Sequence, residues 1–193
     1  MSILEQTDLL RIKANSILNP KKKSALGQFY TPAPICLFMA SLFHSIGGNI
    51  KLLDPGSGPG SLTAAFVDEA IYRKEVESID ITNYDIEETI ETFAKETLSS
   101  CAEIIKSSGI LFSSKFILED YILSNSSNSG LFLKGNDYTH VIMNPPYKKM
   151  SSASAPRKAL RNWNIETVNL YAGFVALAIK QLRDQGEIVA ITP

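Results

Sequence analysis

Cysteine and histidine are scarce in this chain, two of each among 193 residues. Cys36 and Cys101 stand far apart in helical patterns, which argues against a disulfide framework and leaves no thiolate set for zinc. His44 and His140 are too few and too isolated for a metal site, so both read as structural and no metal is expected. An excess of one charge is lacking too. Nineteen basic and twenty acidic side chains leave a net −1 at pH 7 and a pI of about 6.1. A protein that grips a duplex alone usually shows a basic surface, and the chain as a whole does not. No apolar run approaches the roughly 18 residues that span a bilayer. The segment from Met1 to Lys13 has acids inside its apolar stretch and no small-residue cleavage site, so it does not read as a secretory signal. A cytoplasmic location is the expectation. What is present is 45% hydrophobic, an ordinary globular composition in a length sufficient for one domain with a real core.

The pattern along the chain alternates. Residues 3–18 show helical spacing of Ile3, Leu4, Leu9, Leu10, Ile12 and Ile17, closed by Asn19-Pro20. A loop over 21–31 ends in Phe29-Tyr30-Thr31-Pro32, where Thr31 suits an N-cap and Pro32 a first helical position. That helix is expected to reach about Ser45, before Gly47-Gly48. Strands are expected at Ile50–Asp54, Ser78–Asp85, Ile110–Leu118, Tyr138–Met143 and Gly186–Ile191. Helices are expected at Gly60–Lys74, Glu87–Ser107 and Thr167–Arg183. Ser124–Gly130 reads as a polar insert, and Ser151–Asn164 as a loop without periodicity. Alternation of this kind predicts an α/β fold, a mostly parallel sheet with helices on both faces and right-handed crossovers. Nothing in the sequence covers the far edge of the fifth strand, and an apolar edge is seldom left bare. A fragment, or a chain that pairs with another, is therefore expected.

Asn144-Pro145-Pro146-Tyr147 follows the apolar Val141-Ile142-Met143, which places it at a strand's carboxyl end, where open α/β sheets hold their ligands. Asn144 offers a neutral carbonyl acceptor. The prolines fix φ and present rigid carbonyls without donors, and Tyr147 offers a flat face. Together they suit chemistry on a planar, amide-like nitrogen held by its two hydrogens. The plain alternative is a strand followed by a Pro-Pro turn. Basic residues cluster as Lys21-Lys22-Lys23 and as Lys148, Lys149, Arg157, Lys158 and Arg161. The second group contains no acid, and phosphate contact and a solvated loop stand equally open there.

Upstream, Asp54-Pro55-Gly56-Ser57-Gly58-Pro59-Gly60-Ser61 joins the first of the alternating strands to its helix. Alternate glycines Gly56, Gly58 and Gly60 let a backbone approach a ligand, and a helix start adds free N–H groups. The spacing differs from the dinucleotide fingerprint, and Pro59 interrupts it. Asp54, ahead of the glycines, would repel a pyrophosphate but could meet a cation. Asp85 ends the second strand, where a carboxylate suits ribose hydroxyls, and Ile86 could pack on an adenine face. Asp120 ends the third strand and could accept from an adenine amino group, with Tyr121 against the ring. Each carboxylate could instead be a helix N-cap.

In this order the chain resembles the S-adenosylmethionine-dependent DNA methyltransferases that act on the exocyclic N6 of adenine, with the gamma order of motifs. Gly27-Gln28-Phe29-Tyr30-Thr31-Pro32 is similar to the first cofactor element, and Leu53 through Gly60 to the glycine motif. Tyr84-Asp85-Ile86-Glu87 resembles the ribose motif, and Glu119-Asp120-Tyr121 the adenine-contacting one. Asn169 through Phe174 resembles the helix start after the catalytic loop. Ser57 and Ser61 depart from the residues many members carry. The resemblance implies a Rossmann-like methyltransferase fold. An N-terminal helical region over 1–46 would carry Tyr30 and Thr31. A catalytic core over 47–193 would lack the last strands and the target-recognition domain. It implies S-adenosyl-L-methionine as cofactor, held by Tyr30, Thr31, Asp54, Gly56, Gly58, Gly60, Asp85, Ile86, Asp120 and Tyr121. It implies a flipped adenine of double-stranded DNA at Asn144, Pro145, Pro146 and Tyr147, within a restriction–modification system that supplies a specificity or nuclease chain. Enzymes methylating a protein glutamine amide or an RNA base amino group resemble the same Asn-Pro-Pro-Tyr pattern. A cofactor-binding scaffold without turnover is a further alternative.

Overall fold

The computed structural model describes residues 3–17, 29–125 and 137–193. Five strands, β1 (Gly48–Pro55), β2 (Val76–Asp85), β3 (Leu111–Leu118), β4 (Tyr138–Met143) and β5 (Leu182–Ala190), form one sheet in the order β3-β2-β1-β4-β5. All four pairings are parallel. The helices are α1 (Ile3–Ile17), α2 (Ala33–Ser41), α3 (Ser61–Arg73), α4 (Glu88–Lys106), α5 (Tyr121–Ser124), α6 (Ala155–Arg161) and α7 (Leu170–Gln181).

Central strands carry apolar residues on both faces, as a doubly covered parallel sheet requires. Leu52 joins the cluster beneath α1 to α4, with Ile79, Ile81 and Ile142. Its neighbour Leu53 joins the opposite cluster, with Val141, Met143, Trp163 and Leu177. Ile3 and Leu4 of α1 and Cys36 and Met39 of α2 belong to the first cluster, so the N-terminal helices share its core. The strand order runs outward from β1 in both directions. The switch point therefore lies between β1 and β4, where this architecture opens a crevice at the carboxyl ends.

Helix signals explain the crossovers. Glu87 caps α4 by accepting from the Thr89 N–H, Glu88 and Glu91 occupy the first turn, and Lys106 the last, which suits the helix dipole. Buried Ile90, Ala94, Thr97, Leu98, Cys101 and Ile105 form its inner stripe. Three expectations are corrected. Helix α2 stops at Ser41, because tertiary partners take the backbone beyond it: Arg73 donates to the carbonyls of Phe43 and His44, and Glu187 accepts from the N–H groups of His44 and Ser45. The segment expected as a plain loop contains α6, whose seven residues bury only Ala159 and Leu160, too few to show a period. Helix α7 ends at Gln181, and β5 begins at once. Asn19-Pro20, Lys21-Lys22-Lys23 and most of the polar insert lie outside the described residues.

Both cysteines are buried and free. His140 is packed edge-on against Phe43 and Phe66, with its ring nitrogens on Thr139 and the Ser45 carbonyl. Among the described residues no helix is long and apolar enough to cross a membrane, and no cluster is arranged to hold a metal.

Candidate active site

The glycine loop leaves β1 with φ of 78°, 54° and 88° at Gly56, Gly58 and Gly60. The N–H groups of Gly56 and Ser57 both donate to the Tyr84 carbonyl, at 2.8 and 2.9 Å, which pins the loop to β2. Gly58 illustrates why a side chain is excluded. A Cβ there would lie 2.7 Å from the Tyr30 ring, on a left-handed backbone that already disfavours one. Tyr30 thus closes directly on the loop.

The three carboxylates have different roles. Asp54 is fully buried and accepts from the Thr63 hydroxyl at 2.8 Å, while its other oxygen has no hydrogen-bond partner. Burial pushes its carboxyl up to about 7, against the Thr63 hydrogen bond. It lies behind the loop and not in the cleft wall. Asp85 is 4% exposed and accepts from the N–H groups of Gly58 (2.9 Å) and Glu87 (3.0 Å). Burial raises its carboxyl above the usual range despite those donors. Asp85 does face the cleft. Asp120 caps α5, accepting from Ile122 and Leu123 at 2.9 and 3.0 Å, and the cleft is lined instead by its neighbours Glu119 and Tyr121.

Asn144 is anchored from the far N-terminal side of the chain. Its side-chain amide donates one hydrogen bond to the Phe29 carbonyl (3.0 Å) and one to the Thr31 hydroxyl (3.1 Å). Both amide hydrogens are consumed, so the side-chain oxygen is fixed on the other side, where the Tyr147 hydroxyl reaches it at 2.9 Å. The Tyr147 hydroxyl also lies 3.1 Å from the Ile191 carbonyl, and its ring sits 6.2 Å from that of Tyr171. The segment after Tyr147 is tied back by an antiparallel bridge. Met150 donates to the Val168 carbonyl and Leu170 to the Lys148 carbonyl, at 2.7 and 2.8 Å.

These parts line a cleft that is open to solvent. Its walls combine Tyr30, Gly56, Asp85, Ile86, Tyr121, Asn144 and Pro146 from the sequence expectations with Phe29, Tyr84, Glu119, Lys148, Leu170 and Phe174. A smaller adjoining recess brings in Thr31, Ser57 and Ser61. Gly58, Gly60, Pro145 and Tyr147 are not among the residues that line the cleft or the recess. Tyr84 enters the sequence reading only as part of the ribose motif, with no role of its own, although its place one residue before Asp85 on β2 was a usable signal. Phe174 packs 5.1 Å from Tyr121, which itself meets Tyr84 edge-on at 5.3 Å. A closed polar ring supports this wall: the Tyr121 hydroxyl donates to Gln181, Gln181 donates to Asn125, and Asn125 donates to the Tyr121 carbonyl. Trp163 adds a fourth bond, to the Asn125 carbonyl.

The basic group behind Asn144 is partly neutralised, which sequence spacing did not reveal. Arg157 and Arg161 both bind Glu166, nine and five residues on. Those charge-assisted hydrogen bonds hold the exposed Glu166 carboxyl down at about 2.

The parallel sheet and its crevice define the class: a Rossmann-like fold of S-adenosylmethionine-dependent methyltransferases. Two solved structures share it. A Listeria monocytogenes protein described as a class I S-adenosylmethionine-dependent methyltransferase aligns over 83% of this chain and 44% of its own, with TM-score 0.58 and 11% identity. The type I restriction-modification system methyltransferase subunit of Streptococcus thermophilus aligns over 85% and 34%, with TM-score 0.54 and 19% identity. Residues 16–193 match the family model for N-6 DNA Methylase, and the chain belongs to that family. It is 42% identical over 197 residues to the type II methyltransferase M.BsuBI of Bacillus subtilis. It is 39% identical over 186 residues to M.PstI of Providencia stuartii. Those matches cover 99% and 96% of this chain but only 38% and 36% of the relatives.

The residues present fit S-adenosylmethionine. Asp85 offers a carboxylate for ribose hydroxyls, beside the apolar walls Ile86, Tyr84 and Phe174 for a flat ring. The buried Ser61 hydroxyl, without a hydrogen-bond partner, opens onto the adjoining recess at the start of α3. A hydroxyl and helix N–H groups there suit an amino acid's carboxylate.

Proposed function

We propose that this chain is the cofactor-binding and catalytic part of a site-specific DNA adenine N6-methyltransferase of the restriction–modification type. The observation that carries this reading is the orientation of Asn144. With both amide hydrogens spent on Phe29 and Thr31, the side chain can only accept at its oxygen. An amino group approaching that oxygen is a donor, and a base amino group is the donor a DNA methylase presents.

The cofactor supplies an electrophilic methyl on a sulfonium. The chain's own residues do the rest. The adenine amino lone pair is delocalised into the ring and poorly nucleophilic. Asn144 Oδ1 and the Pro145 carbonyl accept its two hydrogens, which favours a pyramidal nitrogen and stabilises the positive charge that develops as the N–C bond forms. The nitrogen then sheds one proton to solvent. Such a geometry needs the base out of the duplex, since its amino group cannot otherwise reach a recessed Asn. Tyr147, whose hydroxyl donates to Asn144 Oδ1, would offer its ring as the stacking face for the base. Asp85, Glu119 and the aromatic walls hold the cofactor in line, a contribution of proximity.

Incubation of the chain with methyl-labelled S-adenosylmethionine and mixed-sequence duplex DNA, followed by nucleoside mass spectrometry, tests the reading. Label in N6-methyladenine is expected. Label in another nucleoside, or transfer to protein glutamine with none to DNA, would reject it.

A further inference from the structure

Charge is distributed unevenly along the chain. Residues 148–166 hold five of the nineteen basic side chains and one of the twenty acidic ones. That segment is net +4, in a molecule otherwise net −5. We infer that this face, through Lys149 and Lys158, contacts the phosphates of duplex DNA beside the target base. The inference rests on the DNA reading above and adds where the backbone lies.

Three observations place and shape the surface. It starts immediately after Tyr147, and Lys148 itself lines the cleft. Helix α6 packs against α5, which begins at the carboxyl end of β3, so the positive face lies on the same edge of the sheet as Asn144. The segment is also ordered from below. Ala159, Leu160, Trp163 and Ile165 are buried in the second core cluster, and Lys149 is bridged to Asn169.

Within this surface the cations differ. Glu166 engages Arg157 and Arg161, which offsets one of their two charges and fixes both guanidinium groups in closing the segment. Lys149 and Lys158 are exposed and make no ion pair among the described residues. Inside the cleft the charges of Asp85 and Glu119 favour a cation, while the rim beyond it is positive. A cationic cofactor and a polyanionic substrate would meet at that boundary. Phosphate neutralisation by lysines releases counterions and so leaves a salt-dependent signature.

The test uses the 193-residue chain and a duplex of arbitrary sequence about 20 base pairs long, with affinity read by fluorescence anisotropy over a range of salt. The double substitution Lys149→Gln/Lys158→Gln should reduce the log–log salt slope by about 2, with S-adenosylmethionine affinity unchanged by calorimetry. The control Lys95→Gln/Lys106→Gln on α4 should leave the slope intact. Glu166→Gln, which releases two arginines, should tighten duplex binding. An unchanged slope in the first variant, or an equal fall in the control, overturns the inference and leaves the DNA reading standing. A wild-type chain that binds no duplex at any salt overturns both.

Discussion

The Thr31 hydroxyl accepts a 3.1 Å hydrogen bond from the Asn144 amide, across 113 residues of sequence. The element expected to serve the cofactor thereby also orients the acceptor expected to serve the substrate. Thr31→Val removes one of two anchors and lets the amide rotate. The turnover number should fall by roughly fivefold, the worth of one hydrogen bond of about 1 kcal/mol, and further than affinity for S-adenosylmethionine falls. Equal losses in both would assign Thr31 to the cofactor alone.

Asn144→Ala should lower methyl transfer by about 100-fold or more, the usual cost of losing one preorganised group at a developing charge. Cofactor affinity by calorimetry should stay close to that of wild type. A parallel loss of binding would remove Asn144 from the substrate side of the cleft.

Asp85→Ala should act on the other component. It deletes a cleft carboxylate and the acceptor for the Gly58 N–H. Hydrogen bonds to a charged group contribute about 1.5–3 kcal/mol, so S-adenosylmethionine should bind roughly 10- to 100-fold more weakly. Unchanged affinity in the titration would rule out a ribose contact there.

Gln181→Leu breaks the closed ring that joins α5 to α7. It strands the Tyr121 hydroxyl and the Asn125 side-chain oxygen, at about 1–3 kcal/mol of stability. Urea denaturation should show that loss. The KM for cofactor should rise while kcat changes little, because Tyr121 forms cleft wall. A stability loss with unchanged KM would confine the ring to packing.

Asp54 gives the chain a pH dependence. Its carboxyl titrates near 3.8 when unfolded and at about 7 when folded. Between those values the folded state binds more protons, so stability falls as pH rises through that window. Asp54→Asn should be more stable than wild type at pH 8, by roughly 1–4 kcal/mol, and indistinguishable at pH 4. Part of the slope should persist in the variant, since burial raises Asp85 in the same sense. Parallel stability curves for the two proteins would contradict the burial account.

Much of this was legible in the sequence because the fold writes itself in runs. Val141-Ile142-Met143 and Leu52-Leu53 are apolar on consecutive residues, as a strand covered on both faces requires. The glycine loop and Asn-Pro-Pro-Tyr announce themselves by composition. What stayed hidden depends on distance in space. Asp54 and Asp85 look alike in sequence, yet one is sealed behind the loop and the other faces the cleft, because the loop folds over β2 at Tyr84. The acid that answers Arg157 and Arg161 lies outside the acid-free run that drew attention to them. The last turn of α2 was overestimated because the groups that end it, Arg73 and Glu187, come from distant elements.

The strand order also governs when a site can exist. Pairing of β1 with β2 begins with residues 28 apart, Gly48 and Val76, whereas β1 meets β4 through Leu52 and His140, 88 residues apart. Long loops cost more entropy to close, and non-local pairing slows folding. The glycine loop rides on β1 and Asn144 on β4, so neither half of the crevice faces the other until that late pairing closes. A chain caught partway through folding, with β1, β2 and β3 already assembled, has a loop but no acceptor opposite it. The crevice thus forms only once β1 has paired with β4, and S-adenosylmethionine binding followed during refolding would time that closure.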